Sequence, residues 1–313
     1  MATSTNYVIE TSGLTKRFGR NVAVDGLTLR VPRGSVFAFL GSNGAGKTTT
    51  IRVLLDLLDR TSGDARVLGM DCVRDSLEIK RRTGYVAEAQ RMYDWMTVDE
   101  TIWFCRGFYP GWDDAFADEL KRKLELPGNS RIGSMSRGTQ AKVALLLAMA
   151  YRPELLILDE PTAGLDVVVR RDFLEGVIDL IQQEGRTVFF SSHIVHEVER
   201  VADWVGVIDH GRLIWCSRME ELKASVKRLV LSFDEVPQSF AALTHVLTVE
   251  TSGRQAVVTT KHFSDETLAQ ARGLNPSTID VQDMNLEDIF VALVGLHPEV
   301  CVDGSRRWHD ERC

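Results

Sequence analysis

One glycine-rich octapeptide limits the possible folds of this chain more than any other feature. Residues 41–48 read GSNGAGKT and match the pattern G-x-x-x-x-G-K-[ST]. The apolar run 36–40 before them is typical of a buried strand, and the stretch 49–58 after them is helical in pattern. Glycines let consecutive backbone amides point at phosphate oxygens, and a helix N-terminus adds its positive end. Because a strand precedes and a helix follows, we interpret the octapeptide as a phosphate-binding loop rather than a chance glycine-rich turn.

Two acids follow a second apolar run. Residues 155–158 lead directly into Asp159 and Glu160, which places both carboxylates at the carboxyl edge of a parallel sheet, where ligands of α/β proteins bind. Lys47 would then neutralise β- and γ-phosphates, and the Thr48 hydroxyl would ligate Mg2+. Asp159 would hold the same ion, directly or through water, and Glu160 would orient or deprotonate the attacking water. Taken alone, such a pair is as often a solvated strand end. After a phosphate loop it is the expected partner.

The fold class follows from the alternation of apolar runs and helical stretches. Apolar runs preceded by helical stretches recur at 155–158 and 188–190, which predicts an α/β domain with a mainly parallel sheet. The alternating residues 22–31 also read as strand. Residues 93–150 are helical in pattern and open with a capping box at 97–100. They predict a helical insertion.

The C-terminal part of the chain has a different pattern. Short alternating runs at 229–233 and 256–260 and a helix near 265–272 predict a small α+β domain. Before it, Asp209-His210-Gly211-Arg212 marks a hairpin turn, and Ser217 to Glu220 would cap a short helix. The expected divisions are 1–224 for the first domain, 225–300 for the second and 301–313 for a polar tail.

Charge and hydropathy argue against other classes of function. The 313 residues carry a net charge of −7, which argues against a general affinity for nucleic acid, because that requires a basic face. The longest apolar run, Val143 to Tyr151, is about half as long as a membrane-spanning helix. Residues 1–6 are polar and lack the pattern of a signal peptide. If the chain works at a membrane, a partner must supply the spanning helices.

Further motifs occur in a fixed order around these acids. Ser136-Arg137-Gly138-Thr139-Gln140 stands 23 residues before Asp159, Ala163-Gly164-Leu165-Asp166 follows the acids, and Ser191-Ser192-His193 follows the next apolar run. In order and spacing the set resembles the nucleotide-binding domain of the ATP-binding cassette (ABC) family, over roughly Tyr7 to Trp215. The resemblance implies a P-loop NTPase fold that adds an N-terminal antiparallel β subdomain and a helical insertion to the parallel sheet.

The resemblance also implies roles for single residues. Phe18 matches the aromatic residue that stacks on adenine. Ser136 and Gly138 match the signature that grips the γ-phosphate of an ATP held by the opposite subunit. Asp166 matches the loop that couples the two sites, and His193 matches the switch histidine at the γ-phosphate, although a lone histidine after a strand is usually structural.

The candidate site residues fall into three overlapping groups. The candidate catalytic residues are Lys47, Glu160 and His193. The candidate Mg2+ ligands are Thr48, Glu88 and Asp159. The candidate nucleotide-binding residues are Phe18, Gly41, Ser42, Asn43, Gly44, Ala45, Gly46, Lys47, Thr48, Thr49, Glu88, Ser136, Gly138, Asp159 and Asp166.

Two departures from the usual family pattern are visible. Glu88 stands where the family usually has glutamine, and a carboxylate there can still accept water and contact Mg2+. Arg137 and Thr139 stand where the common signature has glycine and glutamine. Similar substitutions occur in the drug- and antibiotic-export (ABC-2 type) branch, which this chain resembles most.

The resemblance implies an ATPase with ATP and Mg2+ as cofactors, which drives a separate integral-membrane permease, with export as the expected direction. It implies a homodimer or a pair with a related ATPase subunit, located in the cytoplasm on the inner face of the cell membrane. Residues 91–97 would either dock the permease or form core of the helical insertion. The acidic-apolar stretch 286–290 resembles a C-terminal extension of the same branch.

Two other functions fit the sequence less well. A soluble ABC ATPase acting on nucleic acid or the ribosome usually has two cassettes, a long coiled coil or zinc-binding cysteine pairs, whereas this sequence has one cassette and no C-x-x-C. An ATP-sensing module with little turnover is disfavoured because Lys47, Asp159, Glu160 and His193 are all present.

Overall fold

The computed structural model describes residues 6–165, 170, 176 and 185–295. The chain divides into two compact units between Met219 and Glu220. This division lies inside a short helix, and the boundary expected after residue 224 lies near the end of the same helix. None of the helices in the described residues has the length and apolar character needed to cross a bilayer.

The first unit contains eleven described strands and six described helices. In chain order its strands are β1 Tyr7–Phe18, β2 Asn21–Leu27, β3 Arg30–Pro32, β4 Val36–Leu40, β5 Ser62–Val67, β6 Met70–Asp71, β7 Thr83–Val86, β8 Leu155–Asp159, β9 Thr187–Ser192, β10 Trp204–Asp209 and β11 Arg212–Arg218. Its helices are α1 Lys47–Leu54, α2 Ser76–Arg82, α3 Val98–Arg106, α4 Asp114–Lys123, α5 Arg137–Met149 and α6 Val195–Val201.

Six of these strands form the central sheet, in the order β11-β10-β4-β9-β8-β7. All neighbours are parallel except the hairpin pair β10 and β11. The parallel strands end at one edge, and β4, β8 and β9 lie side by side there. The predicted mainly parallel sheet is confirmed.

The side chains of Phe37, Phe39 and Phe189 pack the middle of this sheet. The rings of Phe37 and Phe189 stack with centroids 5.6 Å apart, and Phe39 and Phe189 lie 5.5 Å apart. All three are fully buried, and each such burial contributes about 1.5–3 kcal/mol. The strands that carry the predicted site residues are therefore rigidly held.

A second sheet is antiparallel and includes the chain's first strands. Strand β1 pairs with β2, β3 and β5, and β5 pairs with β6. This sheet is the antiparallel β subdomain that the resemblance implied.

The helical insertion lies between β7 and β8 and contains α3, α4 and α5, with a single 3₁₀ turn at Ile132–Ser134. Its predicted capping box is confirmed: Thr97 Oγ1 accepts from the Glu100 backbone N–H at 3.2 Å, and Glu100 Oε2 accepts from the Thr97 N–H at 2.8 Å. These bonds satisfy amides that the first helical turn leaves free.

The structure confirms one of three local predictions and differs from the other two. The predicted hairpin turn is present, and His210 (φ 45°) and Gly211 (φ 80°) both have the left-handed backbone of a two-residue turn. Helix α1 ends at Leu54 rather than near residue 58, because Asp56 adopts a positive φ of 50°. The capping box at Ser217 is wrong: Ser217 lies within β11, and its hydroxyl contacts Trp215 and the Arg218 carbonyl.

The second unit is a four-stranded antiparallel sheet with two whole helices and most of a third. Helix α7 Met219–Ser225 contains the division between the units, and the remaining elements are β12 Lys227–Ser232, β13 Val246–Ser252, β14 Gln255–Thr260, α8 Asp265–Gly273, β15 Thr278–Asp283 and α9 Leu286–Val294. The strand order is β13-β14-β12-β15. Leu229, Leu231 and Val258 are among its fully buried core residues. The predicted α+β fold of this part is confirmed.

Candidate nucleotide-binding and hydrolytic site

The phosphate loop joins the carboxyl end of β4 to the N-terminus of α1. Gly46 precedes the helix with φ 108°, and a methyl group built on it would lie 2.5 Å from the Ala23 carbonyl oxygen. A methyl group on Gly41 would lie 2.4 Å from the Ile208 carbonyl oxygen. The β2 strand and the β10–β11 hairpin thus press against the loop, which keeps its backbone curled for anion binding.

Lys47 begins helix α1 and is buried, with 5% of its surface exposed. Its ammonium donates to the carbonyls of Gly41 at 2.8 Å and Ser42 at 3.1 Å. It also lies 3.0 Å from Glu160 Oε1. The ammonium is therefore held between two carbonyl oxygens of the loop and the Glu160 carboxylate.

Asp159 ends β8 beside the first turn of α1. Its Oδ1 accepts from the Thr48 hydroxyl at 2.9 Å and from the Ser191 hydroxyl at 2.7 Å. Burial is the main cause that raises the pKa of this carboxyl, against the two hydroxyls that favour its charged form; Glu160 and Glu88 raise the pKa further. The structure therefore brings Thr48 and Asp159 together as predicted.

Glu160 and His193 meet at the same edge of the sheet. Glu160 Oε2 lies 2.8 Å from His193 Nδ1, and the backbone N–H of Glu160 donates to Ser191 Oγ at 2.9 Å. Glu160 has a positive φ of 46° and is buried, whereas the side chain of His193 is 38% exposed. One carboxylate thus contacts both Lys47 and His193, the two other predicted catalytic residues.

Ser191 was not among the predicted site residues. Its hydroxyl accepts from the Glu160 amide and donates to Asp159, so it links the two acids directly. The only sequence signal was its place in the run Ser191-Ser192-His193. The contact depends on β9 lying next to β8 in the sheet. The motif alone does not predict this strand order.

The donor set near Thr48 and Asp159 suits a hard cation. A hydroxyl and a carboxylate supply oxygen ligands, and Mg2+ usually binds one or two carboxylates together with phosphate oxygens and water. Within the described residues no group of three or more His, Cys, Asp or Glu side chains is placed to hold a metal ion. Glu88 is exposed but close enough to raise the pKa of Asp159. The residues present fit Mg2+ held jointly with a nucleotide.

The signature residues open helix α5. Ser136 is its N-cap: its hydroxyl accepts from the Thr139 amide at 3.2 Å and lies 2.9 Å from Thr139 Oγ1. Ser136 is exposed, Gly138 is buried, and the first turn carries no acidic residue. The described side-chain hydrogen bonds of Ser136 go to Thr139 and not to the phosphate loop of its own chain.

The remaining predicted residues are more peripheral. Phe18 ends β1, is 49% exposed, and has the Lys16 ammonium 4.9 Å from its ring centroid. Arg137 lies against the turn that follows the acids, because a methyl group built on Gly164 would be 2.7 Å from Arg137 Nη1. Asp166 lies outside the described residues.

The parallel sheet, the phosphate loop and the acids at the carboxyl edge define a P-loop nucleoside triphosphatase. The model of the ABC transporter family matches residues 24–163. The bacitracin transport ATP-binding protein BcrA of Bacillus licheniformis is 32% identical over 92% of this chain and 97% of its own length. The daunorubicin/doxorubicin resistance ATP-binding protein DrrA of Streptomyces peucetius is 33% identical, covering 95% of each chain.

The chain therefore belongs to the family of ABC transporter ATP-binding proteins. A solved structure of an ATP-binding subunit of an ABC transporter superposes with a TM-score of 0.62 at 25% identity, covering 69% of this chain and 92% of that one. Members of this family are ATPases that drive transport, dimerise and work with membrane permeases. This chain is accordingly an ATP-hydrolysing subunit of transporter type, as the sequence predicted.

Proposed function

We propose that this chain binds ATP with Mg2+, closes on a second ATPase subunit, and drives the export of drug or antibiotic compounds through a separate permease. The observation that carries the proposal is the contact of one buried carboxylate, Glu160, with both Lys47 at 3.0 Å and His193 at 2.8 Å. The proposed general base, phosphate-binding cation and γ-phosphate sensor would thereby act at one point.

Within one subunit the roles follow from position. Lys47 and the loop amides would bind the β- and γ-phosphates. Thr48 and Asp159 would hold Mg2+, and Glu88 is close enough to Asp159 to act on the same ion. When bound, Mg2+ would neutralise charge on the β- and γ-phosphate oxygens. Glu160 would accept the proton of the attacking water, while His193 would orient the Glu160 carboxylate and contact the γ-phosphate.

The second half of each site would come from another subunit. Ser136 and Gly138 start a helix with no acid in its first turn, and the Ser136 hydroxyl is exposed. A helix N-terminus of this kind attracts phosphate. Together with Asp166, these residues would serve an ATP bound by the partner, in a homodimer or in a pair with a related subunit. Loss of the γ-phosphate would then reopen the pair.

The permease would dock on an aromatic patch of the helical insertion. The patch consists of Tyr93, Trp95, Phe104 and Phe108, whose rings form a continuous chain with centroids 5.2 to 5.8 Å apart. Tyr93 is 54% and Trp95 67% exposed, so the alternative that they form core of the insertion is wrong. Exposed contiguous aromatic residues are typical of protein interfaces.

The direction and the location are inferred from relatives. BcrA is named for bacitracin transport and DrrA for resistance to daunorubicin and doxorubicin. Export of such compounds from the cytoplasm accounts for resistance. We therefore place the chain at the cytoplasmic face of the cell membrane, bound to its permease.

The test replaces the proposed base. Glu160→Gln should reduce ATP hydrolysis by about 10²- to 10⁴-fold, the usual contribution of a general base, and should give a stable dimer in ATP by size-exclusion chromatography. The control is Glu154→Gln, at the opposite end of β8, where the carboxylate pairs with Arg82 and Arg33 on the surface. Hydrolysis by Glu160→Gln at the rate of the control would refute the proposal.

A further inference from the structure

A buried carboxylate with no role in the proposed reaction lies next to the segments of Glu160 and His193. Glu197 is in α6, the helix that follows His193, and is 5% exposed. Its Oε2 accepts from the Thr162 hydroxyl at 3.0 Å, and its Oε1 lies 3.2 Å from Arg170 Nε. Thr162 is itself buried and follows Glu160 by two residues.

These contacts join the segments of Glu160 and His193 at a second point. The first point is the 2.8 Å contact between the two side chains themselves. The second is the hydrogen bond from Thr162, two residues after Glu160, to Glu197, four residues after His193. Two segments that are connected at two points cannot rotate independently, so the base and the histidine keep a fixed relative orientation.

Arg170 extends the connection further along the segment that follows Glu160. While Nε faces Glu197, Nη2 donates to the Leu165 carbonyl oxygen at 2.8 Å. Leu165 is the residue directly before Asp166, which is proposed to couple the two ATP sites. The orientation of the Leu165 peptide is therefore tied to the same carboxylate that holds Glu160 and His193 in register.

The energetics argue against a purely stabilising role. Burial is the main cause that raises the pKa of Glu197, although Thr162 and Arg170 favour its charged form. Glu197 Oε1 and Arg170 Nε are at ion-pair distance but do not form an aligned hydrogen bond. A buried pair with imperfect geometry recovers its desolvation cost poorly, and an apolar pair of similar size is often as stable or more stable. Such pairs are better suited to fixing a specific arrangement.

We propose that Glu197 is a positioning residue that, through Thr162 and Arg170, couples the residue preceding Asp166 to the orientation of the Glu160–His193 pair. The inference rests on the proposed function, because it assigns Glu160 and His193 to hydrolysis. It goes further by naming the groups through which the coupling loop acts on the base.

The experiment compares variants of the full chain for melting temperature, ATP affinity and ATPase kinetics. Glu197→Gln should lower kcat by about tenfold and leave KM for ATP within about twofold, because a misplaced catalytic group affects the transition state more than binding. The double variant Glu197→Met/Arg170→Met should have at least the wild-type melting temperature, since an apolar pair replaces a buried ion pair. Its turnover should stay as low as that of Glu197→Gln. Glu154→Gln is the matched control and should keep wild-type kinetics.

A second pair of variants decides the matter if the double variant does not fold. Thr162→Ser keeps the hydroxyl and should keep turnover, whereas Thr162→Val keeps the shape, loses the bond to Glu197 and should lower kcat about tenfold without a matching change in KM. The proposal is overturned if the double variant regains full turnover, or if Thr162→Val is as active as Thr162→Ser. Failure of the proposed function is a separate result, namely unaltered hydrolysis in Glu160→Gln.

Discussion

Glu160 Oε2 lies 2.8 Å from His193 Nδ1, which brings together side chains that directly follow two neighbouring parallel strands, β8 and β9. Glu160 itself has a positive φ of 46°. The hydroxyl of Ser191, two positions before His193, accepts a hydrogen bond from the Glu160 amide. The pair is thus fixed by backbone as well as side-chain contacts.

Removal of the His193 side chain should slow ATP hydrolysis. His193→Ala is expected to lower kcat by about 10²-fold, the lower end of the effect of an acid–base group, with a smaller change in ATP affinity. The measurement is steady-state hydrolysis together with equilibrium ATP binding. His245→Asn in the second unit is the control, because asparagine tolerates the positive φ of 59° at that position. Equal kcat values for the two variants would contradict the role of His193.

Lys47 should determine nucleotide affinity. Lys47→Ala removes a cation that lies inside the phosphate loop, and hydrogen bonds to charged groups contribute about 1.5–3 kcal/mol, so ATP affinity should fall by at least about tenfold. Binding of a fluorescent ATP analogue measures the change. Lys123→Ala removes a surface ion pair with Glu119 in α4 and should leave affinity unchanged. Tight binding by Lys47→Ala would remove the basis of the proposed phosphate site.

The loop backbone should tolerate no side chain at Gly46. Gly46→Ala combines a φ of 108° with a contact of 2.5 Å to the Ala23 carbonyl oxygen, so both backbone strain and overlap destabilise the variant. Gly253→Ala, in the β13–β14 turn, has φ 58° but open space around it, so only the strain of about 1–2 kcal/mol applies. Thermal melts should therefore show the larger loss for Gly46→Ala. A smaller loss there than at Gly253 would contradict the described loop geometry.

The ionised carboxylate of Asp159 should destabilise the folded protein at neutral pH, because it is buried. Because its pKa is raised in the folded state, the folded protein binds this proton more tightly than the unfolded chain does. The penalty is fully present above the raised pKa and disappears as the pH falls towards the unfolded value of about 3.9. Asp159→Asn should therefore raise the melting temperature at pH 7.5, with a gain that shrinks on acidification, while Mg2+-dependent hydrolysis is lost.

The same substitution at a carboxyl with the opposite shift supplies the control for Asp159. Backbone N–H groups, first that of Arg74, lower the pKa of Asp71, so its stabilising effect is present above the unfolded pKa and lost as the pH falls through the folded one. Asp71→Asn should lower the melting temperature at pH 7.5. If Asp159→Asn melts below the wild-type protein at this pH, the Asp159 carboxylate does not destabilise the folded state.

The aromatic patch should be needed for assembly and not for folding. Trp95→Ser changes a side chain that is 67% exposed, so the melting temperature should stay within about a degree or two, as for most surface substitutions. Co-purification of a multi-span membrane protein should be lost. Leu77→Ser removes an equally exposed apolar residue from α2 and should retain the membrane protein. Retention by both variants would exclude the patch as the docking surface.

The sequence was sufficient for features whose physical cause is local. The phosphate loop follows from glycines, a lysine and the adjoining strand and helix, and the Thr97 capping box follows from residues three apart. The parallel sheet followed from alternating patterns along the chain. In each case the interacting groups are close in sequence or repeat with the period of one element. The sequence pattern therefore predicts the structure.

Other features depended on which strands are neighbours. Ser191 could join Asp159 to Glu160 only because β9 lies between β4 and β8, and the Glu197 contacts need α6 to pack behind the same edge. Ser217, read as a helix cap, was drawn into β11 by pairing with Val205. Tyr93 and Trp95 fitted core or surface equally well by pattern. Hydrogen bonding and burial between distant segments decided these points, and no local propensity encodes them.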